Sequence, residues 1–462
     1  MAKRSAALPA PGGAGLGHAT LDLSFHPGRS IRRMSIAFTM WFILAGGIGL
    51  VWLVRLLSLV PILRRRCVLK PRAYQGPPQN APRISILVAA RDEEDNIEAC
   101  VTTLLDQDYP NLQLIVVDDR SRDGTPAILS RLHRQAGLPG QGGSRLRVVT
   151  VRELAEGWFG KSHAMREGVA VSDGDWLLFT DADCRQLSRH TLSIAMCEAL
   201  TQRTDFLTMI PMLETRTAWE RIIQPVCSLV MAFWFMPDRV NNPDTPTAYA
   251  NGAFMLMSRP CYDAIGGHEH VRNRLNEDIE LARLAKTAGM RLRVVENHGL
   301  YQTRMYPTLR QAWRGWSRIF AGALGSPIRV ATAASLIILL GLVPWASLFV
   351  AVIGLISSSA GNAAPWATAL AAWGVVIVLE QYVLARFYSV VGTQRVWSAT
   401  YVLGATIMVA MLVNALFKVL GATTTTWRST TYRGARAVEV PDESARAPRP
   451  PAQPVVEPGA PL

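Results

Sequence analysis

Residues 177–184 read Leu-Leu-Phe-Thr-Asp-Ala-Asp-Cys. A short apolar run, Trp176–Phe179, ends in two aspartates one residue apart, Asp181 and Asp183. A buried strand that finishes this way delivers two carboxylates to the carboxyl edge of a sheet, where open α/β folds bind their ligands. Two carboxylates held together repel unless a cation lies between them. Their hard oxygens suit Mg²⁺ or Mn²⁺, a metal often shared with the phosphates of a substrate. Asp-x-Asp is also a common turn sequence, so its meaning depends on the rest of the chain.

Working outward, strand and helix signals alternate. Ile84–Ala90 and Leu112–Val117 read as strands, the second ending in Asp118-Asp119, and Leu146–Val151 supplies another. Between them Glu94–Leu105 reads as a helix with acidic residues at its start to complement the dipole. Ser121-Arg-Asp-Gly is turn chemistry, after which Thr125 is placed to cap the next helix. This alternation predicts an α/β fold with a doubly wound sheet.

Hydropathy is uneven along the 462 residues. Ile36–Val54 and Val330–Ser357 are uncharged and long enough to cross a bilayer, and residues 366–420 leave room for two more crossings. The first stretch lies too far along the chain for a cleaved signal peptide and reads as an anchor. The segment Val226–Met236 is too short to span and reads as a helix on the membrane face or in the core. The net charge of +13 has a membrane explanation, since Arg64, Arg65, Arg66, Lys70 and Arg72 follow the anchor. No basic groove with stacking aromatics is evident, so nucleic acid is not an expected partner. Six cysteines without metal-ligand spacing fit reduced thiols.

Four separated motifs line up in order: Ile84 to Glu94 (ISILVAARDEE), Leu114 to Thr125 (LIVVDDRSRDGT), Thr180-Asp-Ala-Asp183 preceded by Gly160-Lys161, and Asn276-Glu-Asp278. Together they resemble the family-2 glycosyltransferases, which use the GT-A fold, a Rossmann-like, doubly wound mixed sheet. The flanking stretches Gly157-Trp-Phe-Gly-Lys161, Ala250-Asn-Gly-Ala-Phe254, Gly266-Gly-His-Glu-His270 and Thr303-Arg-Met-Tyr306 resemble the membrane-anchored subgroup that glycosylates carotenoid- and hopanoid-type lipids. Composition, hydropathy and the resemblance together divide the chain into a disordered segment 1–33, an anchor 34–60, a basic linker 61–82, a GT-A domain 83–305 that the resemblance implies, an interfacial amphipathic helix 306–325, a transmembrane helix 330–357, two more within 366–420, and a flexible tail 421–462.

Site roles follow from the resemblance, position by position. Ala89, Ala90, Arg91 and Glu93 line the nucleotide pocket. Asp119 accepts a hydrogen bond from the base, as a carboxylate suits the imide N–H of uracil; a turn cap is its structural alternative. Lys161 stands near the donor diphosphate as a point charge. Asp181 and Asp183 form the metal and nucleotide pair, with Asp183 the firmer ligand for Mg²⁺ or Mn²⁺. The third ligand is open among His268, His270 and His298. Asp278 is the general base and Glu277 its alternative; attack by an acceptor hydroxyl without a carboxylate nucleophile would invert the anomeric carbon.

One departure stands out. Processive polysaccharide synthases of the family carry Gln-x-x-Arg-Trp, whereas Gln311-Ala-Trp-Arg314 is followed here by Gly315 and then Trp316. Gln311, Arg314 and Trp316 are candidate acceptor or diphosphate contacts. The same segment has a physical reading, with Leu309, Trp313, Trp316 and Phe320 on one helical face and Arg310, Arg314 and Arg318 on another, a pattern that lies in a membrane interface. Glu380 within an apolar segment is either functional or paired with Arg386 or Lys418.

The expected protein is a multi-pass cell-membrane enzyme whose catalytic domain faces the cytoplasm. It moves one sugar from a nucleotide-diphosphate sugar, a UDP-sugar first, to a hydroxyl of a lipid acceptor. Arg428, Arg433 and Arg436 after the fourth crossing run against the positive-inside rule. The alternatives are a processive polysaccharide synthase and a non-catalytic membrane scaffold on the same fold.

Overall fold

The computed structural model describes residues 27–136, 145–427, 430–433 and 438–440. The expected disordered segment therefore lies, for residues 1–26, outside the described residues, as does the end of the expected tail, residues 441–462. In chain order the elements begin with helix α1 (Pro27–Arg65), β1 (Val68–Leu69), β2 (Ile84–Ala90), α2 (Ile97–Leu105), β3 (Leu112–Asp119), α3 (Thr125–Ala136), β4 (Leu146–Val151), α4 (Gly160–Ala170), β5 (Trp176–Asp181) and β6 (Cys184–Gln186). They continue with α5 (Thr191–Thr201), β7 (Phe206–Ile210), β8 (Met212–Leu213), α6 (Ala218–Trp234), α7 (Pro237–Asn241), β9 (Met255–Ser258), α8 (Arg259–Ala264), α9 (Gly267–His270), α10 (Glu277–Thr287), β10 (Leu292–Asn297) and β11 (Tyr301–Thr303). Beyond these come α11 (Leu309–Leu324), α12 (Pro327–Ile337), α13 (Val343–Ser357), α14 (Ala363–Val390) and α15 (Tyr401–Val419).

The main sheet has eight strands in the order β1-β10-β7-β9-β5-β2-β3-β4. All neighbours are parallel except β9, which runs antiparallel to both β5 and β7. It is thus a mixed sheet wound in both directions from β2 and β5. The central strands are apolar on both faces, as helices cover both sides; every residue of β2 but Ala89 is buried. Register brings the chemistry to one edge. Ala90 of β2 pairs with Asp118 of β3, and Ala89 pairs with Asp181 of β5. An antiparallel strand starts where its parallel neighbours stop, so the turn that enters β9 lands beside the carboxyl end of β5. A second, three-stranded sheet orders β6-β11-β8 and pairs Thr303 with Cys184, directly after Asp183.

Helix α2 begins at Ile97, three residues later than the acidic run suggested. That run is used elsewhere. The Asp92 amide donates to Ser121 Oγ and the Glu94 amide to Asp123, while Asp92 and Glu94 accept from the amides of Arg122 and Gly124. Thr125 opens α3, and its hydroxyl accepts from the Glu93 amide at 2.9 Å. The loops after β2 and β3 are therefore knitted together, which fixes the sheet edge they frame.

Four helical stretches are long and apolar enough to cross a membrane: Ser35–Ser58, Pro327–Ser357, Ala360–Val390 and Arg395–Val419. Their large outward residues, among them Met40, Ile43, Phe349, Ile356 and Val378, are exposed, as expected of surfaces that face lipid rather than water. A single π-turn at Ile338–Leu342 joins α12 to α13 just before Pro344, whose missing N–H breaks the regular ladder. Glu380 is fully buried and accepts from Trp345 Nε1 at 3.0 Å. The expected partners are not used: Arg386, six residues on and on another face of α14, donates to Tyr382 instead.

Helix α6 opens with a capping box between Thr217 and Glu220 and packs on α15 through its first half, while Ala232 and Phe233 near its end are exposed. Helix α11 keeps its two faces, with one exception. Trp316 and Phe320 are buried, and Arg310 and Arg314 are exposed, but Arg318 is half-buried. Rows spaced by four drift about 40° per step on a helix of 3.6 residues per turn, which carries Arg318 round toward the protein. After α15, Thr-rich segments suited to extended structure form three short antiparallel strands, Thr424–Trp427, Thr430–Arg433 and Val438–Val440.

Candidate active site

A cavity of about 750 Å³ opens at the carboxyl edge of the sheet. Ala89, Ala90, Arg91, Glu93, Asp119, Lys161, Asp181, Asp183, Glu277 and Asp278 all line it. Of the three candidates on α11, only Trp316 does so. Gln311 is spent in a capping box with Thr308, and Arg314 points away from the cavity into the exposed face.

The Lys161 ammonium bridges two carboxylates, at 2.7 Å from Asp181 Oδ1 and 2.8 Å from Glu277 Oε1. Burial works against its charge, but Asp181, Glu277 and Asp278 outweigh that and hold the ammonium well above its ordinary range. Asp278 lies in the first turn of α10. Its Oδ1 accepts from the Ile279 amide at 2.8 Å and its Oδ2 from the Gly252 amide at 3.0 Å. Burial first, and then the neighbouring Glu277, push its pKa up to about 7, with Lys161 and the two amides opposing. Gly252 is the junction. A Cβ there would sit 2.7 Å from Lys161 Nζ, 3.5 Å from Asp278 Oδ2 and 3.7 Å from Asp181 Oδ2. The three groups surround one point, and no side chain fits between them.

Asp183 is enclosed. Burial, Asp181 and Glu93 push its carboxyl up to about 7, partly offset by a hydrogen bond from Thr303 and by Lys161. Asp119 is buried and held by Arg120, whose Nε donates to Oδ1 at 2.7 Å, with Arg91 at 3.8 Å. The histidines named as candidate ligands are elsewhere: His268 is buried against Tyr262, with its Nδ1 3.0 Å from the phenol oxygen, and His270 and His298 are exposed. Among the described residues no three His, Cys, Asp or Glu side chains cluster as a metal site. A pair of half-buried carboxylates side by side suits a hard cation that completes its shell from phosphate oxygens and water.

Sequence reasoning gave no place in the site to Gly252, Thr303, Tyr306 or Arg318. The Asn-Gly pair at 251–252 carried a turn signal that could have found the first. Thr303 and Tyr306 stood at the two ends of a quoted stretch without individual roles; they reach the cavity from β11 and from the connection to α11, and Arg318 from α11 itself.

The same cavity continues away from the carboxylates between helices. It passes the end of α6 (Leu229, Phe233) and reaches Trp52 of α1, Leu336 of α12 and Leu384 of α14. At this end Arg55 lies over the Phe233 ring at 5.8 Å.

Residues 85–262 match the family described as Glycosyl transferase family 2. Residues 85–262 are thus a family-2 glycosyltransferase domain, built on the mixed α/β sheet described above. A 4,4'-diaponeurosporenoate glycosyltransferase of Staphylococcus aureus (strain USA300) is 25% identical over 295 residues, covering 61% of this chain and 74% of the relative. Among solved structures, a mannosyltransferase from Pyrobaculum calidifontis in complex with GDP-Man and Mn²⁺ aligns over 83% of this chain and 99% of its own, at 18% identity and TM-score 0.48. Glucosyl-3-phosphoglycerate synthase from Mycobacterium tuberculosis, solved with Mn²⁺, UDP and phosphoglyceric acid, aligns over 52% of this chain and 78% of its own, at 17% identity and TM-score 0.35.

Proposed function

We propose that this glycosyltransferase moves a single sugar, with inversion, from a nucleotide-diphosphate sugar to a hydroxyl of a membrane lipid. The observation that carries this reading is the one cavity that joins the carboxylate cluster to an apolar chamber between α1, α6, α12 and α14. A water-soluble donor suits the first end and an apolar acceptor the second. The name of the S. aureus relative, a carotenoid-type glycosyltransferase, agrees with a lipid acceptor.

In this reading Ala89, Ala90, Arg91, Glu93 and Asp119 receive the nucleotide. Asp183 and Asp181 would hold Mg²⁺ or Mn²⁺, which supplies neutralisation of charge on the departing diphosphate. Asp278 takes the proton from the acceptor hydroxyl, and its raised pKa matches that task near neutral pH. Lys161 holds Glu277 and Asp181 in place by ion pairs, which leaves Asp278 as the base. Gly315 in place of the tryptophan of processive synthases supports single transfer. A Cβ at 315 would overlap the Tyr306 ring, at 2.0 Å from its Cζ, so that ring fills the space beside α11. The basic residues after α1 support a catalytic domain on the cytoplasmic side.

The test uses the full chain in lipid nanodiscs, with UDP-sugars and lipid extract, read by mass spectrometry. The expected product is a lipid heavier by one hexose. Asp183→Ala and Asp278→Asn each lose at least about a hundredfold in rate. Near-normal turnover by either variant, or a ladder of hexose additions, overturns the proposal.

A further inference from the structure

The cavity that holds the carboxylates has an outer rim. Of the residues that line it, Val51 and Arg55 of α1, Ala232 and Phe233 at the end of α6, and Asp238 of α7 are the exposed ones. The far wall is closed by contrast. Trp52, Ile337, Leu384 and Tyr401 line it and are buried. Trp52 Nε1 donates to the Leu340 carbonyl at 3.1 Å, which joins α1 to the π-turn after α12, and α1 packs along α14. Across the rim, toward α6, the Arg55 guanidinium lies over the Phe233 ring at 5.8 Å.

Val51 and Arg55 belong to Ser35–Ser58, one of the four helical stretches long and apolar enough to cross a membrane. Around them Leu50, Leu53, Val54 and Leu57 are exposed, the surface of a helix suited to lipid tails rather than water. Arg55 stands within one turn of the end of that stretch. There an arginine lays its stem along apolar surface and its head in the headgroup layer. A gap in this wall opens sideways, to the edge of the bilayer interior. A route through it spares an apolar body the passage through water, where each methylene adds to the cost.

We propose that the gap between α1 and the end of α6 is a lateral port, by which the acceptor lipid reaches the carboxylates from the bilayer with its hydroxyl leading and its apolar body trailing past Val51 and Phe233. This rests on the lipid-acceptor reading above and adds to it the side of entry and the residues that form it. Arg55 and Phe233 bridge the port, and as exposed side chains they part without uncovering a buried group.

The test uses the full chain in lipid nanodiscs with Cys67→Ser and Cys197→Ser, which remove the two half-buried native cysteines and leave the four buried ones. Arg55→Cys and Phe233→Cys are added and joined by a short bis-maleimide with a reducible disulfide core. Sugar transfer to lipid is expected to fall at least about tenfold on tethering, while slow hydrolysis of the donor in water stays within about twofold. Reduction of the tether restores the transfer. Should the double variant elute as aggregate, Ala232→Trp decides. Its indole fills the gap, so transfer to lipid falls at least about fivefold with hydrolysis again within about twofold. Transfer that survives the tether or the tryptophan, or an equal fall in both reactions, overturns the port while the lipid-acceptor reading stands. A parent chain that adds no sugar to any lipid overturns both.

Discussion

Asp278 shows how opposed local effects set the chemistry of one carboxylate. Its two backbone hydrogen bonds and the nearby Lys161 favour the anion, whereas burial and Glu277 favour the acid, and the acid side wins by bringing the pKa to about 7. A base must be unprotonated to act, so kcat/KM is expected to fall tenfold per pH unit below about 7 and to level off above it. The measurement is a pH–rate profile of the parent beside Asp278→Asn, which should lose the acid limb along with most of its rate. A limb that persists in the variant assigns the titration to another group. The shift also bears on stability. The native state holds this proton more tightly than the unfolded chain, so between the ordinary carboxyl value of 3.8 and about 7 the group subtracts stability as pH rises.

At the scale of elements, close approach of helices ties the α/β domain to the bundle of long apolar helices. Helix α6 crosses α15 where Gly404 faces the carbonyl of Ile222, and a Cβ on Gly404 would lie 2.6 Å from that oxygen. Around the crossing, Val226, Cys227 and Met408 are buried together, with Cys227 Sγ 3.7 Å from the Met408 sulfur. Gly404→Ala gains up to about 1 kcal/mol in helix propensity. It also forces apart a contact made by backbone, which has no rotamer to yield, at a cost of about 1–3 kcal/mol. The cost is expected to win, as a lower thermal midpoint in detergent. An unchanged or raised midpoint shows that the crossing is looser than its geometry indicates. The crossing was not legible from the chain. Val226–Met236 reads as apolar and short, and nothing in that pattern names α15 as the face it meets.

For the whole molecule, the continuity of one cavity from the sheet edge to the helices beside α1 makes acceptor use separable from donor use. Leu229 of α6 lines the chamber at a distance in sequence from every carboxylate. Leu229→Glu places a charge on an apolar wall, where it costs a few kcal/mol to desolvate. Transfer to lipid is expected to fall at least about tenfold, while slow hydrolysis of the donor in water stays within about twofold. Measuring both reactions on one preparation checks this, and an equal fall in the two removes the lipid chamber from the reading. The sequence by itself determined the class of fold, the stretches long and apolar enough to span a membrane, and the residues at the ends of β2, β3, β5 and at the start of α10. Strand periodicity, uncharged length and acidic residues at strand ends are local properties that survive without a partner. The tertiary structure decided that Gly252 joins Lys161, Asp181 and Asp278, that Arg318 rather than Arg314 enters the cavity, and that Glu380 meets Trp345. Each of these depends on which distant segment packs nearby, through the antiparallel entry of β9, the drift of α11 and the seating of α13 on α14. Pattern along a chain encodes faces and lengths, whereas the meeting of two faces is set by the packing of all of them at once.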